Sequence, residues 1–80
     1  MFKSFYEYYH FLLSSFGPLN RKGIKKLLDD ALFWYNQKNE QRFMNEMRNI
    51  HAFLLDVGKN QEADQTQNYI QWLIYLSGRK

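Results

Sequence analysis

Eighty residues with a formal charge of +3 and a pI near 9.3 make one small domain over residues 1–80, and so mild a charge does not require an anionic partner. The absence of cysteine removes disulfides and thiolate metal sites as supports for a thin core and suits a reducing, cytoplasmic setting. No window reaches the ~18–20 apolar residues of a membrane span, and Glu7 and His10 interrupt the opening stretch before it could act as a signal-peptide core.

The opening MFKSFYEYYHFLLSSFG answers to a helical period. Phe2, Phe5, Tyr9, Leu12 and Phe16 recur on one face with Tyr6 and Leu13 beside them, and Lys3, Glu7, His10 and Ser14 form the opposing polar stripe. The spacing predicts a helix over about 2–16, ended by Gly17-Pro18. Its aromatics supply bulk that a short chain needs, since each buries roughly 150–250 Å².

Asn20 is placed as the N-cap of a second helix over about 21–37. Its core stripe is Ile24, Leu27, Leu28, Ala31 and Tyr35, with Leu32 and Trp34 at the margins. Extending that stripe by whole turns lands on Lys38 and Arg42. The phase therefore slips, which predicts a turn near 37–40 rather than one long bent helix. A third helix over about 40–57 follows, with Phe43, Met47, Ile50, Leu54 and Val57 as its stripe. Gly58 suits its C′ position and Asn60 the next N-cap. The fourth helix, about 61–77, carries Ala63, Thr66, Ile70 and Leu73, and Gly78 closes it. No segment alternates with period two for long enough to be a strand.

Four helices joined by short turns predict an all-α, up-down-up-down antiparallel four-helix bundle. The stretch LLDVGKNQEA resembles the turn of a tetratricopeptide hairpin, but the repeat of about 34 residues does not recur, and no family is assigned. The abundance of Phe, Tyr, Asn, Lys and Ile suits an AT-rich bacterial or phage genome.

Catalytic and metal chemistry find little footing. Glu7 and His10 form one Glu-x-x-His pair, whereas a carboxylate-bridged di-iron bundle needs a second pair and two further carboxylates. His51 has its nearest upstream carboxylate five residues away, at Glu46. Asp29 and Asp30 are adjacent, which sends their carboxylates roughly 100° apart around a helix. No serine sits in a nucleophile elbow, and no Gly-rich loop offers a phosphate cradle. The expectation is a non-enzymatic protein with no metal, cofactor or small-molecule substrate.

Two binding surfaces remain. Arg21, Lys22, Lys25 and Lys26, joined by Lys59 at the same end of the bundle, are a candidate nucleic-acid footprint. Asp29 and Asp30, each four residues past a lysine, weaken it. The aromatics are more informative. At about 100° per residue, Phe11, Phe33 and Tyr75 fall on the backs of their helices, with Trp72, Phe53 and Tyr8 at the shoulders. The favoured expectation is a protein–protein interaction or regulatory module that self-associates or docks on a larger protein through Phe11, Phe33, Tyr75 and Trp72. Nucleic-acid binding is the alternative. A membrane-surface role is disfavoured, because Lys3 stands against Glu7 on the polar face of the first helix.

Overall fold

A computed structural model describes residues 2–17 and 21–78. They form four helices: α1 (Phe5–Ser15), α2 (Lys22–Asn36), α3 (Glu40–Asp56) and α4 (Asn60–Ser77). α2 packs on α1 and α3, α3 packs on α4, and the order is that of a small antiparallel four-helix bundle. There is no strand among the described residues.

The first helix begins at Phe5 rather than Phe2. Ser4 is its N-cap, with a side chain that accepts from the Glu7 backbone N–H at 3.4 Å, while Glu7 Oε1 accepts from the Lys3 N–H at 3.5 Å. This Ser-x-x-Glu arrangement is close to a capping box. Phe2 is thereby left outside the helix. The N-cap expected at Asn20, like Pro18, lies outside the described residues. The N-cap expected at Asn60 is displaced: Lys59 holds that place with no side-chain cap, and Asn60 is the first helical residue.

Both remaining turns close by the same hydrogen-bond pattern. The Lys59 N–H donates to Leu54 O at 2.8 Å and the Gly58 N–H to Leu55 O at 3.2 Å, with Gly58 at φ 79°. The Asn39 N–H donates to Trp34 O and the Lys38 N–H to Tyr35 O, both at 3.1 Å, with Lys38 at φ 58°. These are Schellman motifs, in which the C′ residue is left-handed. The second uses lysine where glycine is favoured, and Asn39 then caps α3 by accepting from the Arg42 N–H. The turn at 37–40 is real, and it is held in a conformation that costs an L-residue roughly 1–2 kcal/mol. Lys38→Gly is therefore expected to stabilise the protein by about 0.5–1 kcal/mol once the added freedom of the unfolded chain is counted. A rise in the urea midpoint at constant m-value checks it. Gly58→Ala should shift the midpoint the other way.

The core is a column of Phe5, Tyr8, Leu12, Ile24, Leu28, Met47, Ile50 and Leu54, all fully buried, closed by Ala31, Ala63, Thr66 and Ile70. The stripes of α2 and α3 are largely those the periodicity predicts. That of α1 is rotated. Tyr8, expected at a shoulder, is fully buried, and Tyr6, expected beside the stripe, is exposed. The cause is that α1 faces two neighbours. Tyr8 stacks on Tyr69 at 5.0 Å and its hydroxyl lies 2.6 Å from Thr66 Oγ1, on the α4 side. On the α2 side Phe5 stacks on Tyr35 at 5.4 Å.

Candidate functional site

The two ends of the bundle differ in chemistry. Toward the end holding the α3–α4 turn, Arg21, Lys25, Lys26 and Lys59 are occupied by structure. α1 has no basic residue in its last turn, and two cations from elsewhere neutralise its C-terminal carbonyls. Arg21 Nε donates to Leu13 O at 3.0 Å and Phe16 O at 3.4 Å, and Lys59 Nζ donates to Ser15 O at 2.6 Å while lying 4.9 Å above the Phe16 ring. This is where the helix dipole favours positive charge.

Lys25 bonds Asp29 at 3.0 Å and Lys26 bonds Asp30 at 3.5 Å. Tyr9 joins the first pair, donating to Asp29 at 2.6 Å and accepting from Lys25 at 3.3 Å. The Tyr9 hydrogen bond is the main reason that the Asp29 carboxyl lies below its ordinary range, and Lys25 adds to it against the opposing effect of partial burial. The Tyr9 phenol itself is raised, first by burial and then by its hydrogen bond to Asp29. Of the five predicted nucleic-acid contacts, Lys22 is the one whose side chain has no hydrogen-bond, ion-pair or ring partner among the described residues. No group of three or more His, Asp or Glu side chains that could hold a metal occurs among those residues, and no helix is long and apolar enough to cross a membrane.

The opposite end, holding the α2–α3 turn, is apolar and open. Antiparallel pairing sets Tyr8 of α1 against Thr66 of α4, so the start of α1 lies beside Tyr69 and Ile70. α4 then continues for two further turns that have no α1 beside them. A groove of about 910 Å³ results, between those turns and the α2–α3 turn, with Trp34, Tyr35, Phe43, Met44, Leu73 and Ile74 as its apolar walls and the polar residues of the turn, 36–40, with Ser77 along its rim. Residues 72–76 read Trp-Leu-Ile-Tyr-Leu, which covers every side of the helix. Only Leu73 turns inward to the core, and the other four are exposed. Tyr6, Phe33 and Tyr35, also exposed, belong to the same end. Leu55 and Val57 are the two large exposed apolar residues at the other end.

The four predicted interface residues fall as follows. Tyr75 is 55% exposed and Trp72 36% exposed, and their rings stack at 5.7 Å. Phe33 is 53% exposed, with its ring edge-on to Trp34 at 4.9 Å. Phe11 is half-buried: Phe2, freed from the helix, folds back to bring its ring within 5.2 Å of Phe11 and 5.5 Å of Tyr69. The structure thus joins Trp72 to Tyr75, leaves Phe33 exposed on α2, and covers much of Phe11. Sequence reasoning did not find Ile74 and Leu76 or the groove. The uninterrupted apolar run at 72–76 was the available signal.

Comparison with protein families, with curated proteins and with solved structures returns no match.

Proposed function

We propose that this chain is a non-enzymatic interaction module of the cytoplasm, regulatory in character, that engages another protein surface through the apolar end of its bundle. The observation that supports this reading most directly is the last two turns of α4. An amphipathic helix presents one apolar stripe, whereas a helix apolar all round belongs in an interior. Residues 72–76 are apolar all round and lie beside an open groove whose walls include Trp34, Tyr35, Phe43 and Met44. A contiguous apolar patch of this kind marks a contact site.

The test separates surface from core. Phe33→Ser and Trp72→Ser are expected to leave the far-ultraviolet spectrum and the melting temperature nearly unchanged, while reducing binding of the apolar-surface dye bis-ANS and association measured by sedimentation equilibrium. If both variants bind dye and associate like the parent, the proposal fails. Phe11→Ser should instead cost stability, because its ring packs on Phe2 and the core.

Nucleic-acid binding ranks second. Arg21 and Lys59 are already committed to carbonyls, and Lys25 and Lys26 to carboxylates. Phosphate binding at those four side chains would compete with the partners they already have, and Lys22 alone is uncommitted among the described residues.

A further inference from the structure

Resting on the reading of this end as a docking surface, we propose that its occupant is a second copy of the same chain. The last two turns of each α4 lie antiparallel across a two-fold axis, each seated in the other copy's groove.

The groove defines what fits it. α1 begins at Phe5 and is 11 residues long, whereas α4 has 18. At ~1.5 Å per residue, α4 outreaches α1 by about 10 Å, and there only α2, α3 and α4 frame the bundle. The vacant fourth place is long enough for a helix of about two turns with apolar side chains toward Trp34, Tyr35, Phe43, Met44 and Leu73. The chain itself presents such a helix, at 72–76, directly beside the vacancy. An isologous contact requires a patch that carries both halves of its own complement, and this end carries the groove and the segment that fills it.

Area and charge agree. The exposed side chains of Tyr35, Phe33, Trp72, Ile74, Tyr75 and Leu76 amount to on the order of 600 Å² per copy. A standard interface takes ~800 Å² from each partner, and the groove walls supply the difference. The charges around the α2–α3 turn are Lys38, Glu40 and Arg42, the last lying 4.9 Å over the Trp34 ring. A two-fold axis through this end can set Glu40 of one copy against Lys38 or Arg42 of the other. The other apolar-end occupants, a lipid surface or an unrelated protein, have no such match on this molecule.

Sedimentation equilibrium of the full chain should show a dimer, weakened about 30-fold or more by Ile74→Asp or Leu76→Asp. Both residues are exposed, so the helical spectrum should persist. With no native cysteine, nitroxides can be placed singly through Ser77→Cys and Lys22→Cys. The Ser77 labels of two copies should be close, and the Lys22 labels farther apart than the 42 Å length of one copy. A dimer insensitive to both aspartates, or one with close Lys22 labels, overturns the two-fold arrangement. A monomer at all concentrations overturns it as well. If that monomer still binds bis-ANS and Ile74→Asp abolishes the binding, the docking surface stands and the second copy falls. If it binds no dye, both readings fall. A monomer that co-sediments with phosphatidylglycerol vesicles, and is released by Leu76→Asp, replaces the second copy with a lipid surface.

Discussion

Phe5→Ala is expected to remove about 3–5 kcal/mol of folding stability, with a fall in Tm of about 12–40 °C. The ring is fully buried and belongs to a cluster that joins three helices. It stacks on Tyr35 of α2, meets Phe43 of α3 edge-on at 5.2 Å, and lies 5.9 Å from Tyr8 on its own helix. Removal forfeits the transfer free energy of the ring and leaves a cavity that rigid aromatic neighbours do not easily fill. An 80-residue chain has only about 4–12 kcal/mol in total, so this loss is a large part of the whole. Leu54→Ala, at the opposite end of the core column, should cost about 2–5 kcal/mol. Phe33→Ser is the control, since its ring is mostly in solvent. A thermal melt in which Phe5→Ala stays within 1–2 °C of the parent, roughly the width of a neutral surface change, would show that Phe5 is not the keystone of this end.

The parts of this fold that were legible in sequence are those set by one helix at a time. Ile24, Leu28 and Ala31 on α2, and Phe43, Met47, Ile50 and Leu54 on α3, repeat at intervals of three and four and are all buried. Gly58 announced its turn by being the residue that tolerates φ 79°. Lys38 announced nothing, because a lysine in the left-handed region contradicts local preference, and only the phase slip betrayed the turn. Tyr8 was misplaced for a different reason. The burial direction of α1 depends on α4, which lies more than fifty residues away in sequence, and Thr66 drew Tyr8 inward.

The same distinction governs the candidate site. Angular position on isolated helices placed Phe33 and Tyr75 outward and Trp72 at a shoulder, and all three are exposed. It also placed Phe11 outward, without allowing for Ser4 starting the helix at Phe5 and leaving Phe2 to fold back over it. The groove was invisible to any such projection. It exists because α1 and α4 meet at Ser15 and Lys59 and differ in length, a relation between elements rather than a property of either. What sequence could have supplied was the run at 72–76. Five apolar residues in succession leave no solvated face, whatever the helix's rotation.

The second large effect concerns the hydroxyl of Tyr8, and it should be lopsided. Thr66 Oγ1 donates its single hydrogen to Glu62 O at 2.9 Å. The 2.6 Å contact with Tyr8 therefore has the tyrosine as donor and the threonine as acceptor. Burial holds the Tyr8 phenol protonated well above the ordinary tyrosine range, against the opposing pull of the Thr66 hydrogen bond, so it remains a donor at any neutral or mildly alkaline pH. Tyr8→Phe removes the donor and leaves Thr66 bonded to Glu62, at a cost of about 0.5–1.5 kcal/mol. Thr66→Val keeps the shape of the side chain but strands a fully buried hydroxyl, which costs about 1–3 kcal/mol. The double variant strands nothing and should be less destabilised than the sum of the two, with a coupling of about 0.5–3 kcal/mol. Urea unfolding of the four proteins at pH 7 measures that coupling. Additive losses, or a Tyr8→Phe variant worse than Thr66→Val, would mean that the hydroxyl has another acceptor and that Thr66 does not orient α1 on α4.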